Sequence, residues 1–304
     1  MKHIAVTGAT GFIGSHLVRT LVENKESVSI IVRDQKKAEQ CFCDILDQIA
    51  IYSVNGSITN LAEFLKKKEI TDVVHLATKY ITQSDTEDIY CLVEGNILFG
   101  MQLLEAMKLA KVKRIINTAS SWQHYQDNEY CPVNVYAATK QAFEDILRYY
   151  SHAEGVHAIT LEIYDTYGEG DTRSKLIPTW KKVCRTGEEM QLSAGEQKLD
   201  YVYIKDIVSG IIKAMQLLKN IPQEEYYEKK YALSSDNIYT LKEIAAVFEQ
   251  VYHTKLSIQW GKKPYRTREV MTPYRELERL PGWRANDTLQ TGFQKMYQSE
   301  YGNT

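Results

Sequence analysis

The sequence has no apolar stretch approaching the roughly 20 residues that a membrane-spanning helix needs. It also has no excess of charge, because 37 Lys and Arg residues face 39 Asp and Glu residues for a net charge of −2 at pH 7. That balance argues against a nucleic-acid-binding surface, which usually shows as a basic excess. The chain starts almost directly with a predicted strand, so we expect no signal peptide and no membrane partner.

Cysteine is scarce, at five residues in 304. The number is odd and the residues are scattered, which favours a protein of the reducing cytoplasm. Cys41 and Cys43 form a close pair, but no second pair and no histidine lie near them in the sequence, so we predict no metal site. Tyrosine, by contrast, is abundant at 21 residues. Most of these should be half-buried packing residues, so only its position can mark a tyrosine as functional.

The first half of the chain alternates short β-branched runs with helical segments. This pattern predicts an α/β fold, with a doubly wound parallel sheet and a ligand crevice at the carboxyl ends of its strands. The predicted strands are 4–7, 28–32, 49–54, 73–77, 114–118 and 158–164. The predicted helices are 15–23, 35–40, 59–67, 94–110 and 136–151.

The alternation weakens after Tyr164. We predict a loop at 167–173 and helices at 176–186 and 241–251. We also expect 200–206 and 207–218 to add one more strand and helix to the first domain. The predicted organisation is a Rossmann domain at 1–164 and 198–221, and a smaller lobe over the crevice at 165–197 and 222–304.

A glycine-rich turn, Thr7 to Gly14, follows the first predicted strand and opens the first predicted helix. Gly8 permits the tight turn, Gly11 lets a pyrophosphate approach the backbone, and Gly14 allows close helix packing. The free N–H groups and dipole of the helix start then hold phosphates. A glycine triplet alone is a weak signal, but its place between a strand and a helix indicates a dinucleotide site.

Tyr136 and Lys140 lie four residues apart on a predicted helix and therefore on one face of it. A nearby ammonium should lower the pKa of the phenol, whose usual value of about 10 makes it a poor proton carrier near neutrality. Taken alone, such a pair is more often an ordinary surface Tyr and Lys. The order of glycine turn, serine and Tyr-x-x-x-Lys is what favours a catalytic site.

Ser120 and Ser121 come at the carboxyl end of the fifth predicted strand, where a hydroxyl would point into the crevice. Each could equally cap a helix or a turn.

At this point the sequence resembles the extended short-chain dehydrogenase/reductases, the NAD(P)-dependent epimerase/dehydratase group that acts on nucleotide sugars. The resemblance runs almost end to end. It rests on the TGxxGxxG turn and on the later segments 74–77, 96–106, 167–168, 175–178, 200–206, 266 and 282–284. The segments 121–125, 136–145 and 164–167 further resemble the branch of CDP-abequose and CDP-paratose synthases.

The resemblance implies a role for each matching residue. Tyr136 would be the general acid/base, Lys140 its partner and a ligand of the cofactor ribose, and Ser120 a hydrogen-bond donor to the substrate oxygen. Contacts with an NAD(P) cofactor are implied for Gly8, Thr10, Gly11, Phe12, Ile13, Gly14, Arg33, Ser57, Ile58, Leu76, Ala77, Thr78, Tyr136, Lys140 and Ile163. Contacts with the substrate are implied for Tyr80, Ser121, Trp122, Asp165, Lys175 and Arg266.

Lys175 and Arg266 would hold the diphosphate of the substrate, although a charged segment also carries such residues as solvated side chains.

Departures from the family pattern reduce the number of activities that we expect for this chain. Dehydratases of the family carry an Asp-Glu pair after the serine or threonine, where this chain has Ser121 and Trp122, so dehydration is disfavoured. Arg33 stands where NAD-specific members have an acid, and an arginine suits the 2′-phosphate of NADP. Asp34 beside it leaves NAD possible.

Three further positions differ. Ser57 replaces the aspartate that contacts adenine, and Leu199 replaces an arginine that grips the nucleotide. Asp165 replaces an asparagine, and an acid there would repel a phosphate but suit sugar hydroxyls or a backbone donor.

The resemblance therefore predicts an NADPH-dependent reductase of the C4 keto group of a nucleotide-diphospho-4-keto-6-deoxyhexose. An NAD-dependent nucleotide-sugar 4-epimerase would use the same triad, and a non-catalytic protein that senses NADP(H) is the other alternative. Family members also pair the helices predicted at 94–110 and 136–151 with their copies, so we expect a cytoplasmic homodimer.

Overall fold

A computed structural model describes residues 3–222 and 227–302 of the chain. Its strands are β1 (His3–Thr7), β2 (Ser27–Val32), β3 (Ile49–Ser53), β4 (Asp72–His75), β5 (Arg114–Ser120), β6 (His157–Ile163), β7 (Asp165–Tyr167), β8 (Met190–Gln191), β9 (Lys198–Leu199), β10 (Tyr201–Tyr203), β11 (Glu228–Leu233), β12 (Tyr239–Thr240) and β13 (Ile258–Gln259). Its helices are α1 (Phe12–Glu23), α2 (Gln35–Cys41), α3 (Ile58–Lys67), α4 (Asp88–Val93), α5 (Phe99–Ala110), α6 (Val135–Glu154), α7 (Leu176–Thr186), α8 (Ile204–Lys219), α9 (Leu241–Val251) and α10 (Leu289–Tyr301).

The predicted α/β fold is confirmed. A seven-stranded parallel sheet has the order β11-β6-β5-β4-β1-β2-β3. Its central strands are buried on both faces, as their near-continuous β-branched composition requires. Val6 of β1, for example, lies between Ile30 of β2 and Val74 of β4.

The strand order reverses between β1 and β4, and this switch point positions the site. In an open parallel sheet the crevice for a ligand lies at the carboxyl ends of the strands flanking the reversal. Gly8 follows β1, and Leu76 follows β4. The turn that the sequence singled out therefore lies where the topology places a ligand.

One prediction about the sheet was wrong. The segment predicted as a further strand of the first domain, 200–206, contributes β10 to a separate two-stranded sheet with β7. The seventh strand of the large sheet is β11 instead. Its sequence begins Glu-Lys-Lys, so it lacks the continuous apolar run by which a buried strand is recognised in a sequence.

The helix predicted at 94–110 begins earlier and is interrupted. It starts with α4 at Asp88, passes through a π-helical segment at Glu94–Leu98 and continues as α5. Gly100 lies against the ring of Phe143 on α6, and a Cβ at this position would lie 2.3 Å from a ring carbon. The glycine thus allows α5 and α6 to approach closely.

The backbone separates into two compact units. The first comprises 1–120, 134–162 and 208–231, and the second comprises 121–133, 163–207 and 232–304. These divisions differ from the predicted ranges at 121–133, 163–164, 198–207 and 222–231, because they follow contacts such as the β7–β10 pairing rather than the order of elements. Parts of the predicted ranges, at 1–2, 223–226 and 303–304, lie outside the described residues. In the described ranges, no helix is long and apolar enough to cross a membrane.

Candidate active site

The glycine turn has the close approaches that its sequence predicts. Gly8 has a φ of +67°, and a Cβ there would lie 2.6 Å from the backbone of Leu76 and Ala77. A Cβ on Gly14 would lie 2.2 Å from the carbonyl oxygen of Gly8. These distances exclude a side chain at either position without a backbone shift. Ala77 also donates its N–H to Thr7 Oγ1 at 3.1 Å, which fixes the segment after β4 against the end of β1.

The start of α1 suits a phosphate. Gly11 is its N-cap residue and supplies no side-chain hydrogen bond, and the first turn contains no acidic residue. The N–H groups of this turn and the helix dipole therefore favour an anion. Thr10, Phe12 and Ile13, for which cofactor contacts are predicted, belong to this turn and helix start.

The end of β2 bears on the choice between NADP and NAD. Asp34 is the N-cap of α2, and its Oδ1 accepts a hydrogen bond from Lys37 N at 3.0 Å. Its carboxylate is therefore engaged with the helix backbone, and the neighbouring Arg33 is exposed. A guanidinium in this place fits a phosphate better than a ribose hydroxyl.

Ser57 is likewise an N-cap, of α3, and accepts a hydrogen bond from Asn60 N at 3.2 Å. Ile58 is the first residue of that helix.

Ser120 and Tyr136 lie together in the first unit. The phenol of Tyr136 forms hydrogen bonds with the hydroxyls of Ser120 and Thr78, and its side chain is 7% exposed. The ring of Tyr80 meets it edge-on, at 5.0 Å between centroids. Of the two candidate serines, Ser120 is thus the one that the structure brings to Tyr136. Ser121 belongs to the second unit and begins a 3-10 turn.

The pKa of Tyr136 is not lowered, and the sequence-based expectation was wrong on this point. Burial raises the pKa to about 12, and Tyr80 adds to that effect. The hydrogen bonds with Thr78 and Ser120 lower the pKa of the phenol and are the weaker influence. Removal from water disfavours the charged phenolate, so the phenol keeps its proton at neutral pH.

Lys140 lies on α6 as predicted, but it is 4% exposed. Burial lowers the pKa of its ammonium to about 8. His75 at the end of β4 is also buried, and the pKa of its imidazole falls to about 3 through burial and the nearby Lys140. The histidine is therefore neutral, and its Nδ1 hydrogen-bonds with Thr7 Oγ1 at 2.8 Å.

Asn96 organises this part of the site, and its role was visible in the sequence only as a family match. Its Oδ1 accepts hydrogen bonds from Thr78 Oγ1 at 2.9 Å and from Lys79 N at 2.6 Å. Its Nδ2 donates to Thr139 Oγ1 at 2.9 Å. Asn96 therefore ties the segment after β4 to α6 and holds Thr78 where it reaches Tyr136. Thr78 was predicted as a cofactor contact, and its hydrogen bond to the phenol was not foreseen.

Four of the predicted substrate residues meet in the second unit. The ring centroid of Trp122 lies 5.5 Å from Lys175 Nζ and 5.7 Å from Arg266 Cζ, within the range of cation–π attraction. Lys175 Nζ also lies 3.5 Å from Asp165 Oδ1. The two cations expected to hold a diphosphate are thus neighbours of one aromatic ring.

The contact between Asp165 and Lys175 was not anticipated. Asp165 was expected to face sugar hydroxyls or a backbone donor, and ten residues separate it from the lysine in sequence. Only the turn of the chain from β7 to the start of α7 brings the two together. Ile163, the remaining predicted cofactor residue, is the last residue of β6 and belongs to the second unit.

The chain is similar to known proteins along almost its whole length. Residues 4–228 match the NAD dependent epimerase/dehydratase family. The chain is 29% identical to a CDP-abequose synthase of Salmonella muenchen, over 97% of each chain.

Among solved structures, it resembles UDP-N-acetylglucosamine 4-epimerase of Methanobrevibacter ruminantium, with a TM-score of 0.83, 19% identity and coverage of 98% and 99%. It also resembles UDP-glucuronic acid 4-epimerase of Bacillus cereus, solved with UDP-glucuronic acid and NAD, with a TM-score of 0.83, 21% identity and coverage of 97% and 98%. These two structural similarities support the Rossmann-like α/β fold. With a family match that covers most of its length, the chain belongs to the NAD dependent epimerase/dehydratase family, whose members are NAD(P)-dependent enzymes of the oxidoreductase type.

Proposed function

We propose that this protein is an NADPH-dependent reductase of the C4 keto group of a nucleotide-diphospho-4-keto-6-deoxyhexose. The observation that carries the proposal is the buried phenol of Tyr136, which forms a hydrogen bond with the hydroxyl of Ser120. A reduction needs a proton donor at the carbonyl oxygen, and the phenol of Tyr136 is an O–H group held beside the serine hydroxyl that would polarise that oxygen. The similarity to CDP-abequose synthase along nearly the whole chain supports the same substrate class.

Each residue of the site has its own role in the proposed reaction. Ser120 donates a hydrogen bond to the C4 oxygen and polarises it. Tyr136 gives its proton to the same oxygen as negative charge develops there. Lys140 provides positive charge one helical turn away, and Lys175 and Arg266 bind the diphosphate. NADPH, when bound at the glycine turn and Arg33, supplies the hydride.

NADPH rather than NADH is proposed because of two features at the end of β2. Arg33 is exposed there, and Asp34 is occupied as the cap of α2. No carboxylate occupies the position of Arg33, where an acid would bond the ribose hydroxyls. The cysteine content favours the reducing cytoplasm as the place of action.

A 4-epimerase is the second candidate, and the structural neighbours favour it. Both neighbours described above are 4-epimerases, and one of them was solved with NAD. An epimerase uses the same Ser-Tyr-Lys set and shows no net consumption of the cofactor. Net turnover therefore separates the two candidates. A protein that only senses NADP(H) would have no use for the Ser120–Tyr136–Lys140 set.

The deciding experiment mixes the full-length protein, NADPH and a freshly prepared nucleotide-4-keto-6-deoxyhexose. CDP-, dTDP-, UDP- and GDP-linked forms are tried in parallel. We expect stoichiometric loss of nicotinamide absorbance with at least one of them. Tyr136→Phe should reduce kcat by about 10²–10⁴-fold, the usual cost of losing one acid/base group, with little change in NADPH affinity.

Two results would count against the reductase, and a third would change the assignment of the serine. Interconversion at C4 without net use of the cofactor establishes the epimerase, and full activity of Tyr136→Phe removes the mechanism. Ser120→Ala and Ser121→Ala form a matched pair, and a greater loss in Ser121→Ala would show that the wrong serine has been assigned.

A homodimer is proposed on the exposed apolar side chains of α4 to α6. Tyr90 on α4, Met101 and Leu109 on α5 and Tyr149 on α6 are each exposed, which is unusual for large apolar residues on neighbouring helices. Self-association about a two-fold axis would cover them with their own copies. Light scattering at micromolar concentration should give the mass of a dimer, and Tyr149→Glu should shift it toward the monomer. A monomeric wild-type protein would refute this arrangement.

A further inference from the structure

Four charged side chains lie together behind the candidate site, all within the first unit. Lys140 and Glu144 are one turn apart on α6, Glu162 lies on β6 and Lys230 on β11. Lys230 Nζ is 3.0 Å from Glu144 Oε2 and 3.4 Å from Glu162 Oε2. Glu144 is 6% exposed and Glu162 is fully buried. Two cations therefore balance two anions; three of the four side chains are buried, and Lys230 keeps 23% of its side chain exposed.

Such a cluster is hard to explain by stability alone. Removing several ions from water costs free energy that their attraction only partly returns, and well-packed apolar residues are often at least as stabilising. Neither glutamate was among the residues predicted for the site. Their position distinguishes them. Both pair with Lys230, and Glu144 lies one helical turn from Lys140, which is itself one turn from Tyr136.

We propose that Glu144, Lys230 and Glu162 form a charge-balancing triad that sets the protonation of Lys140 and thereby the proton transfer at Tyr136. The three are positioning residues, because they act through Lys140. The proposal rests on the proposed function for its catalytic consequence. Its electrostatic part can be tested without any substrate.

Burial and two neighbouring charges each shift the pKa of Lys140 in a known direction. Burial lowers the pKa of its ammonium, Lys230 lowers it further, and Glu144 raises it. The other titratable neighbours are Tyr136, which burial keeps protonated, and His75, which burial keeps neutral. Glu144 is therefore the anion that keeps Lys140 charged, and Lys230 limits its effect by pairing with it.

Glu162 gives Lys230 a second partner. If Glu144 is made neutral, Lys230 keeps an ion pair at 3.4 Å and is not left as an isolated buried charge. Glu144→Gln is therefore a substitution that the fold can tolerate. It removes the 3.0 Å pair with Lys230 and the influence that favours the charged form of Lys140.

The first experiment measures kcat/KM of the full chain with NADPH and the nucleotide-4-keto-6-deoxyhexose between pH 6 and pH 9. Loss of a neighbouring opposite charge shifts a pKa by about one unit or more. From a starting value of about 8, Glu144→Gln should reduce activity about five-fold at pH 8 and hardly at all at pH 6. The alkaline limb of the profile should move about one pH unit lower.

Two further variants make the result specific. The double variant Glu144→Gln/Lys230→Met removes one charge of each sign, and it should return the alkaline limb close to its original pH. Glu228→Gln is the matched control, since it breaks the 3.2 Å pair with Arg148 that also joins β11 to α6. It should leave the pH profile unchanged. A loss in Glu144→Gln that is equal at every pH, or a limb that moves equally in Glu228→Gln, would overturn the proposal.

A second measurement needs no catalysis and separates failure of the triad from failure of the proposed function. The effect of Lys140→Met on unfolding by urea is followed against pH, in the natural background and in Glu144→Gln. The pH at which this effect begins to shrink should be about one unit lower in Glu144→Gln. If the protein proves not to be a reductase, that shift still supports the triad, and an unchanged pH dependence refutes it.

Discussion

Lys140→Met should make the protein more stable while abolishing its proposed activity. The folded protein holds this ammonium with a pKa of about 8, against 10.5 for a lysine in water. The difference of about 2.5 corresponds to about 3 kcal/mol at about 1.36 kcal/mol per pKa unit. That is an upper estimate of the free energy of unfolding that the buried charge removes at pH 7. Methionine has a similar shape and no charge to bury.

The dependence on pH gives the prediction its sign. Because the pKa of Lys140 is lower in the folded chain than in the unfolded chain, the unfolded chain binds more protons between about pH 8 and 10.5. The contribution of this lysine to stability therefore becomes more favourable as pH rises through that window. The advantage of Lys140→Met should be greatest below pH 8 and almost gone above pH 10.5.

The substitution leaves no new charge without a partner. Glu144 keeps its contact with Lys230 at 3.0 Å, so the gain is not offset by an isolated carboxylate. The assay is urea unfolding followed by tryptophan fluorescence, at pH 7 and at pH 10. Lys67→Met, at an exposed position of α3, is the matched control and should change the free energy of unfolding by less than about 0.5 kcal/mol.

The reasoning is refuted if Lys140→Met is less stable than the natural protein at pH 7, or if the difference is the same at both pH values. The expected outcome, higher stability with loss of activity, is the trade-off of a functional group kept in an unfavourable place.

Three other substitutions test separate parts of the site. Arg33→Ala should weaken NADPH binding while leaving NADH binding nearly unchanged, as measured by fluorescence titration; equal affinities in the natural protein would count against NADPH as the cofactor. Asp165→Asn should remove the 3.5 Å ion pair with Lys175 and tighten binding of a nucleoside diphosphate about three-fold at low salt. The gain is modest because the pair is partly exposed. Calorimetry that shows weaker binding would contradict this role for Lys175. Gly14→Ala should lower the free energy of unfolding by at least about 2 kcal/mol, because its Cβ would lie 2.2 Å from the Gly8 carbonyl oxygen, and an unchanged thermal midpoint would be the contrary result.

Several features of the fold and site could be read from the sequence because they depend on local pattern. Buried parallel strands need continuous β-branched runs, and the helices between them repeat apolar residues at every third or fourth position. The bounds of α7 and α9 agree with the predicted 176–186 and 241–251 for this reason. Gly8 and Gly14 stand where the backbone approaches too closely for a side chain. The order of glycine turn, serine and Tyr-x-x-x-Lys likewise needs no coordinates to be recognised.

Other features depend on which segments meet, and the sequence by itself does not specify this. The pKa of Tyr136 was predicted to fall because a cation lies one turn away, yet it rises, since burial is a property of everything packed around the ring. The charged start of β11 conceals a strand, because Lys230 is compensated by Glu144 and Glu162 from two other elements. The pairing of Asp165 with Lys175 comes from the path of the chain between β7 and α7. Local pattern thus determined the helices and strands and the catalytic candidates. Tertiary packing decided the charge state of those candidates, because desolvation and Coulomb forces act through space between residues far apart in sequence.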